Sequence, residues 1–285
     1  MIKTNWLAAS VLIAAGTLSD STALAQNANA FGATIRNPGS ITPEWWNEVG
    51  YNPERLEGAL HLRMGSSGNF GGSPFVGRAN CDMSMLYAAK SNTPMSQSEI
   101  EYCALLEFDL YQGITGKRRD LRDTFVRKDT IAEFSEVIKN RIELFRQNNS
   151  YYLRAAAVQL DPFDLSQGGM VMRLNWTQGY VPADPKAGRP TTIMYKFDDP
   201  HFRKSDDRWW GIRLTDDEQG GREMEQARTG NKFITAMNYF VFDVTGAREV
   251  KDMNGITRYI KVQVKHFAIP YVTADGRTVV TGIKQ

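Results

Sequence analysis

Residues 130–154 read TIAEFSEVIKNRIELFRQNNSYYLR, and within them one periodicity gives way to another. Ile131, Phe134, Ile138, Ile142 and Phe145 recur at helical spacing, while Glu136, Lys139, Asn140 and Glu143 fill the other faces. That pattern predicts a helix with one buried stripe. Thr130 and Glu133 have the spacing of a capping box and mark its start. Asn148-Asn149-Ser150 ends it, and from Tyr151 the period changes. The change of period splits the chain into a helical portion, 42–148, and a β portion, 149–285. The expected class is α+β, a helical N-terminal portion packed on a mainly antiparallel C-terminal sheet that ends in a β-meander. The two portions are expected to share one core.

Upstream of this stretch, Thr42-Pro43 and Asn52-Pro53 each place a capping side chain before a proline suited to the first helical turn. The second of these predicts a helix carrying Leu56, Ala59, Leu60 and Met64 up to Gly65. The glycine-rich run 65–74 reads as a loop. Asn80 to Lys90 and Ser96 to Gln112 then read as two helices joined by Ser91-Asn92-Thr93-Pro94, the second opened by the capping box Ser96/Glu99. Cys81 and Cys103 are the only cysteines in the chain. Residue 92 lies midway between them, so at about 1.5 Å rise per residue each stands roughly 16 Å from the turn, at matching height on an antiparallel pair. They are expected to form a structural disulfide.

Downstream, Met170, Met172, Leu174 and Trp176 alternate with Val171, Arg173 and Asn175, and Ile193, Tyr195 and Phe197 with Thr192, Met194 and Lys196. Both runs predict strands, as does Trp210 to Leu214. Thr215 with Glu218 caps a short helix that ends at Gly230. Asn254-Gly255 and Asp275-Gly276 suit tight hairpin turns and predict the closing meander. Its first strand, near Lys232 to Val244, is apolar on both faces and therefore central. In the next, Ile260, Val262 and Val264 oppose Lys261, Gln263 and Lys265. The phase slips near His266, because Phe267 and Ile269 take the other parity, and a bulge accounts for the slip.

The first 25 residues carry Lys3, an apolar run from Leu7 to Ala15, and Ala23-Leu24-Ala25 before Gln26. They predict a signal peptide, 1–25, because the run is too short for the roughly 20 residues of a membrane span and Ala-x-Ala is a cleavage pattern. Residues 26–41 follow as a flexible leader. The expected location is the periplasm or outside the cell, where an isolated cysteine pair oxidises. A formal charge of +2 over 285 residues gives no argument for nucleic acid.

Among candidate sites, Asp198, Asp199 and His201 form the densest polar constellation, with Asp206, Asp207, Asp216 and Asp217 around Trp209-Trp210. Convergence of these groups would hold a metal or provide an acid–base pair, although turn carboxylates between strands are ordinarily solvated. Cys81, Met83, Met85, Met170 and Met172 are a soft sulfur set of the kind that takes Cu(I), but a cystine would consume Cys81 and the methionines lie on apolar faces, so no metal is expected. No cofactor is expected either. Lys117, Arg118, Arg119, Arg122, Arg127 and Lys128 fall within twelve residues, opposed only by Asp120 and Asp123. Such a run is more often a solvated helix face, as the interleaved acids favour here, and otherwise a contact for anionic lipid headgroups, lipopolysaccharide or an acidic partner. Trp209 and Trp210 are adjacent on a strand, so one of the two indoles should leave the main core face and be available for stacking. The leading expectation is an exported, non-enzymatic bacterial envelope protein that binds a partner protein or an envelope glycan or lipid component through Trp209, Trp210, Arg118, Arg119 and Arg122. The alternative is a periplasmic or secreted hydrolase of cell-envelope polymers that uses Asp198, Asp199 and His201.

Overall fold

In the computed structural model, the described residues are 59–63, 74–155, 161–165, 169–174, 177–181, 191–199, 202–204, 210–215, 218–229, 238–252, 255–272 and 278–284. The expected signal peptide and leader, the Thr42-Pro43 and Asn52-Pro53 helix starts and most of the glycine-rich loop lie outside them. Among the described residues three helices come first: α1 (Pro74–Ser91), α2 (Gln97–Thr115) and α3 (Thr124–Gln147). A fourth, α4 (Glu218–Thr229), stops just before Gly230, as its pattern implied. The strands are β1 (Leu60–Leu62), β2 (Ser150–Ala155), β3 (Met170–Leu174), β4 (Gln178–Val181), β5 (Thr191–Phe197), β6 (Phe202–Lys204), β7 (Trp210–Thr215), β8 (Asn238–Asp252), β9 (Gly255–Val272) and β10 (Thr278–Lys284).

The fold is α+β. Its main sheet runs β1-β2-β8-β9-β5-β4, and β10 pairs with the far end of β9; β3-β7-β6 form a second, smaller sheet. Pairing is mainly antiparallel, and β8, β9 and β10 are the expected meander. Among the described strands two pairings are parallel, β1 with β2 and β5 with β9. β5 takes residues 257–262 of β9 and β10 takes residues 266–272, so β9 carries two partners in succession along one edge and β8 along the other. The slip near His266 is a bulge: Val241 pairs with His266 and Phe242 with Val264, which leaves Lys265 as the extra residue. The extra residue puts Phe267 back on the buried face, where its ring stacks on Phe240 at 6.1 Å.

The middle layer is α1. It packs on β1, β4, β5, β8 and β9 on one side and on α2 and α3 on the other, and all its residues from 77 to 89 are buried. A helix covered on every side needs no polar face. Gly77 allows part of this closeness, since a Cβ there would stand 2.7 Å from Leu106 Cδ1 and 2.8 Å from the Tyr102 hydroxyl of α2. One turn on, Cys81 is joined to Cys103 across a Cα separation of 5.7 Å, as the helical-hairpin geometry required. Side chains of the helices and of both sheets form one buried cluster. Tyr195, Phe242, Tyr151 and Phe145 run through it in successive ring contacts of 5.5, 6.2 and 5.8 Å.

Two expectations of local structure are overturned. Leu60–Leu62 is a strand and not the end of a helix, because its backbone pairs in parallel with Tyr151–Leu153, and the Arg63 N–H just beyond it is taken by Asp82 at 2.8 Å. Tertiary pairing outweighs a weak local helical pattern. The helix α3 begins at Thr124 and not at Thr130. Asp123 accepts from the backbone N–H groups of Phe125 and Val126, and that cap adds nearly two turns ahead of the Thr130 to Glu133 pair. Thr130 is a buried interior residue whose hydroxyl accepts from Arg119.

Candidate functional site

The turn between α2 and α3 carries the basic run. Gly116, at φ 69°, closes α2 by donating its N–H to the Gln112 carbonyl, and Asp123 opens α3. Only glycine takes that positive φ without strain, so α2 stops there and the chain is released into a short connection. Residues 113–120, 122–125 and 127–129 are all exposed, which makes this end of the helical pair a projecting tip. From Lys117 to Asp129 it carries six cations, Lys117, Arg118, Arg119, Arg122, Arg127 and Lys128, against three carboxylates, Asp120, Asp123 and Asp129.

The cations are not equivalent. Arg119 turns inward: it donates to Thr130 Oγ1 at 3.1 Å, pairs with Glu133 at 2.7 Å and lies 5.5 Å over the Phe108 ring. It fastens the connection to the helices, and Leu121 beside it packs against the core. Arg122 makes a two-pronged pair with Asp120, at 2.9 Å through both Nε and a terminal nitrogen. That hydrogen bonding lowers the Asp120 pKa and raises that of Arg122. Both side chains are exposed, so the pair contributes little to stability. Lys117, Arg118, Arg127 and Lys128 have no ion-pair partner among the described residues, and they project their charge outward. The tip also holds two large apolar side chains in solvent, Ile114 at 75% exposure on the last turn of α2 and Phe125 at 78% on the first turn of α3. Neither falls in a periodic segment of the sequence, since the expected helices end before Ile114 and begin again after Phe125. The signal was their position on either side of a cationic run.

The other candidates are described only in part. Asp198 is exposed while its neighbour Asp199 is buried, and the Asp199 carbonyl accepts from the Phe202 N–H in the turn between β5 and β6. His201, Asp206, Asp207, Asp216 and Asp217 lie outside the described residues. So does Trp209. Trp210 is a core residue, buried at the start of β7 with its ring edge-on to Phe197 at 5.2 Å, and is not available for stacking on a ligand. Cys81 is committed to its disulfide, and Met83 and Met85 are buried in the core.

The densest ionic groups lie inside the molecule, on the polar residues of α1. Asp82 is fully buried. It accepts from Arg63 through the backbone N–H and two guanidinium nitrogens, and from Arg141 of α3 at 2.9 Å; Arg63 also pairs with Glu107 of α2 at 2.5 Å. Burial alone would raise the Asp82 pKa, but the charges of Arg141 and Arg63 and the Arg63 hydrogen bonds outweigh it and hold it at about 2. The cluster joins β1, α1, α2 and α3. A second one joins α1, α2, β9 and β8: Ser84 donates to Glu99 at 2.9 Å, Arg258 pairs with Glu99 at 2.5 Å and with Glu249 at 3.3 Å, and its guanidinium lies 5.1 Å over the Tyr87 ring. Both clusters tie elements of different layers together through charge-assisted pairs around a buried carboxylate, Asp82 in one and Glu99 in the other. No protein-family model, no curated protein and no solved structure matches this chain.

Proposed function

We propose that this is an exported, non-enzymatic protein of the bacterial envelope, periplasmic or secreted, that binds an envelope component through the tip between α2 and α3. The observation that carries the reading is the exposure of Arg118, Arg122 and their cationic neighbours on a rigidly fastened projection. Arg119 and Leu121 anchor the connection, so the remaining side chains are presented at little cost in ordering on binding. The Cys81–Cys103 bridge supports an oxidising compartment. No helix among the described residues is long and apolar enough to cross a membrane, which agrees with docking through a surface.

The test is capture from envelope extract on the immobilised protein, followed by mass spectrometry of proteins and of extracted lipids and glycans. The wild type is expected to retain a component that the charge-reversed Arg118→Glu/Arg122→Glu variant loses. Equal retention by the two, or none by either, removes the reading.

A further inference from the structure

The tip combines charge with exposed apolar surface, and the combination narrows the component. Ile114 and Phe125 stand at the same end of the α2–α3 pair, each about three-quarters exposed, and Lys117, Arg118, Arg127 and Lys128 are exposed at that same end with no ion-pair partner among the described residues. Apolar side chains of this size gain by leaving water only where they find an apolar phase to enter, and lysine and arginine gain where phosphate oxygens are near. An interfacial lipid layer supplies both at once, apolar tails just beneath an anionic surface. An acidic protein surface supplies the charge, but it would need a recess for each apolar side chain, matched to a convex projection. The two apolar residues flank the charged connection in sequence, so apolar and cationic side chains are presented together at one end of the helical pair.

From this we infer that the α2–α3 tip docks on an anionic phospholipid bilayer surface, with Ile114 and Phe125 entering the interface and Lys117, Arg118, Arg127 and Lys128 meeting headgroup phosphates. The assignment rests on the binding reading above and names its partner. Asp123 and Gly116 serve it indirectly, by holding the two helix ends that present Ile114 and Phe125. Arg119 is not a headgroup contact, because Thr130, Glu133 and the Phe108 ring already occupy it.

Sedimentation with vesicles of phosphatidylglycerol and phosphatidylethanolamine, and with neutral phosphatidylcholine vesicles, tests it on the whole protein. Binding is expected to the anionic vesicles alone and should weaken as salt is raised, since exposed charges are screened beyond about 10 Å at 0.1 M ionic strength. The Ile114→Ser/Phe125→Ser variant should bind about tenfold more weakly with an unchanged far-ultraviolet circular dichroism spectrum and melt, because both side chains stand in solvent. The Arg118→Gln/Lys128→Gln variant should bind about tenfold more weakly at low salt and show a flatter salt dependence. Wild-type protein that ignores anionic vesicles overturns the assignment, and so does equal binding by the apolar double variant. If the vesicles fail while Arg118→Glu/Arg122→Glu still loses its component from envelope extract, the lipid assignment falls and the binding reading stands. If both measurements fail, both fall.

Discussion

Replacement of Asp82 by alanine is expected to lower stability by about 3–5 kcal/mol, enough to leave the protein largely unfolded at moderate temperature. The carboxylate is wholly buried and compensates two guanidinium groups, those of Arg63 and Arg141, and it also takes the backbone N–H that follows β1. Removing it leaves two positive charges beside α1 with Glu107 as the remaining carboxylate on Arg63, and it frees the N–H that helps to hold the strand. Asp82→Asn should be nearly as harmful, because the amide keeps the shape and loses the charge. The same group sets the response to acid. Its pKa is about 2 in the folded protein against 3.8 for the ordinary group, so a folded-state value that is depressed adds stability above about pH 4, and that stability is lost as the pH falls toward 2. Urea unfolding at neutral pH and near pH 3 measures both effects. The wild type should lose stability between the two conditions and Asp82→Asn should lose less; a variant as stable as the wild type at neutral pH would show that the cluster contributes nothing net.

Removal of the disulfide is the second large effect. The bridge closes a loop of 22 residues in sequence separation, for which restriction of the unfolded chain amounts to about 3 kcal/mol. A Cys81→Ala/Cys103→Ala variant should therefore melt about 10 °C below the wild type. Both cysteines are fully buried between α1 and α2, so a thiol reductant cannot reach the bridge in the native protein. Native protein should resist dithiothreitol until it unfolds and then fail to regain its original melting temperature while reductant is present. Alkylation followed by mass spectrometry reports which sulfurs have opened. An unchanged melting temperature in the alanine pair, or ready reduction in native buffer, contradicts this account.

What could be read from the chain beforehand follows from how local each signal is. The α3 stripe of Phe134, Ile138 and Phe145 is buried as its spacing required, because a helix that packs on one side must be apolar on that side. The phase slip at His266 could be read as a bulge because an extra residue in one strand reverses the parity of all that follow. The end of α2 at Thr115 and the start of α3 at Thr124 were legible only in part, since the glycine and the aspartate that cap them lie beside a charged run that masks the period. Parallel pairing of β5 with β9 was not legible at all. The paired residues, Thr192 with Thr257 through Phe197 with Val262, are far apart in the chain, and no local pattern specifies which strand will lie beside which.

Sequence alone determined the elements that answer to near neighbours: the helical hairpin that brings Cys81 to Cys103, the amphipathic α3 and the β8-β9-β10 meander. Tertiary structure alone decided the rest. It turned 60–62 from helix to strand, made Trp210 a core residue, surrounded Asp82 with Arg63 and Arg141, and left Ile114 and Phe125 in water. The physical reason is that helical and strand periods are set within a few residues, whereas burial, charge compensation and exposure depend on groups brought together from distant parts of the chain.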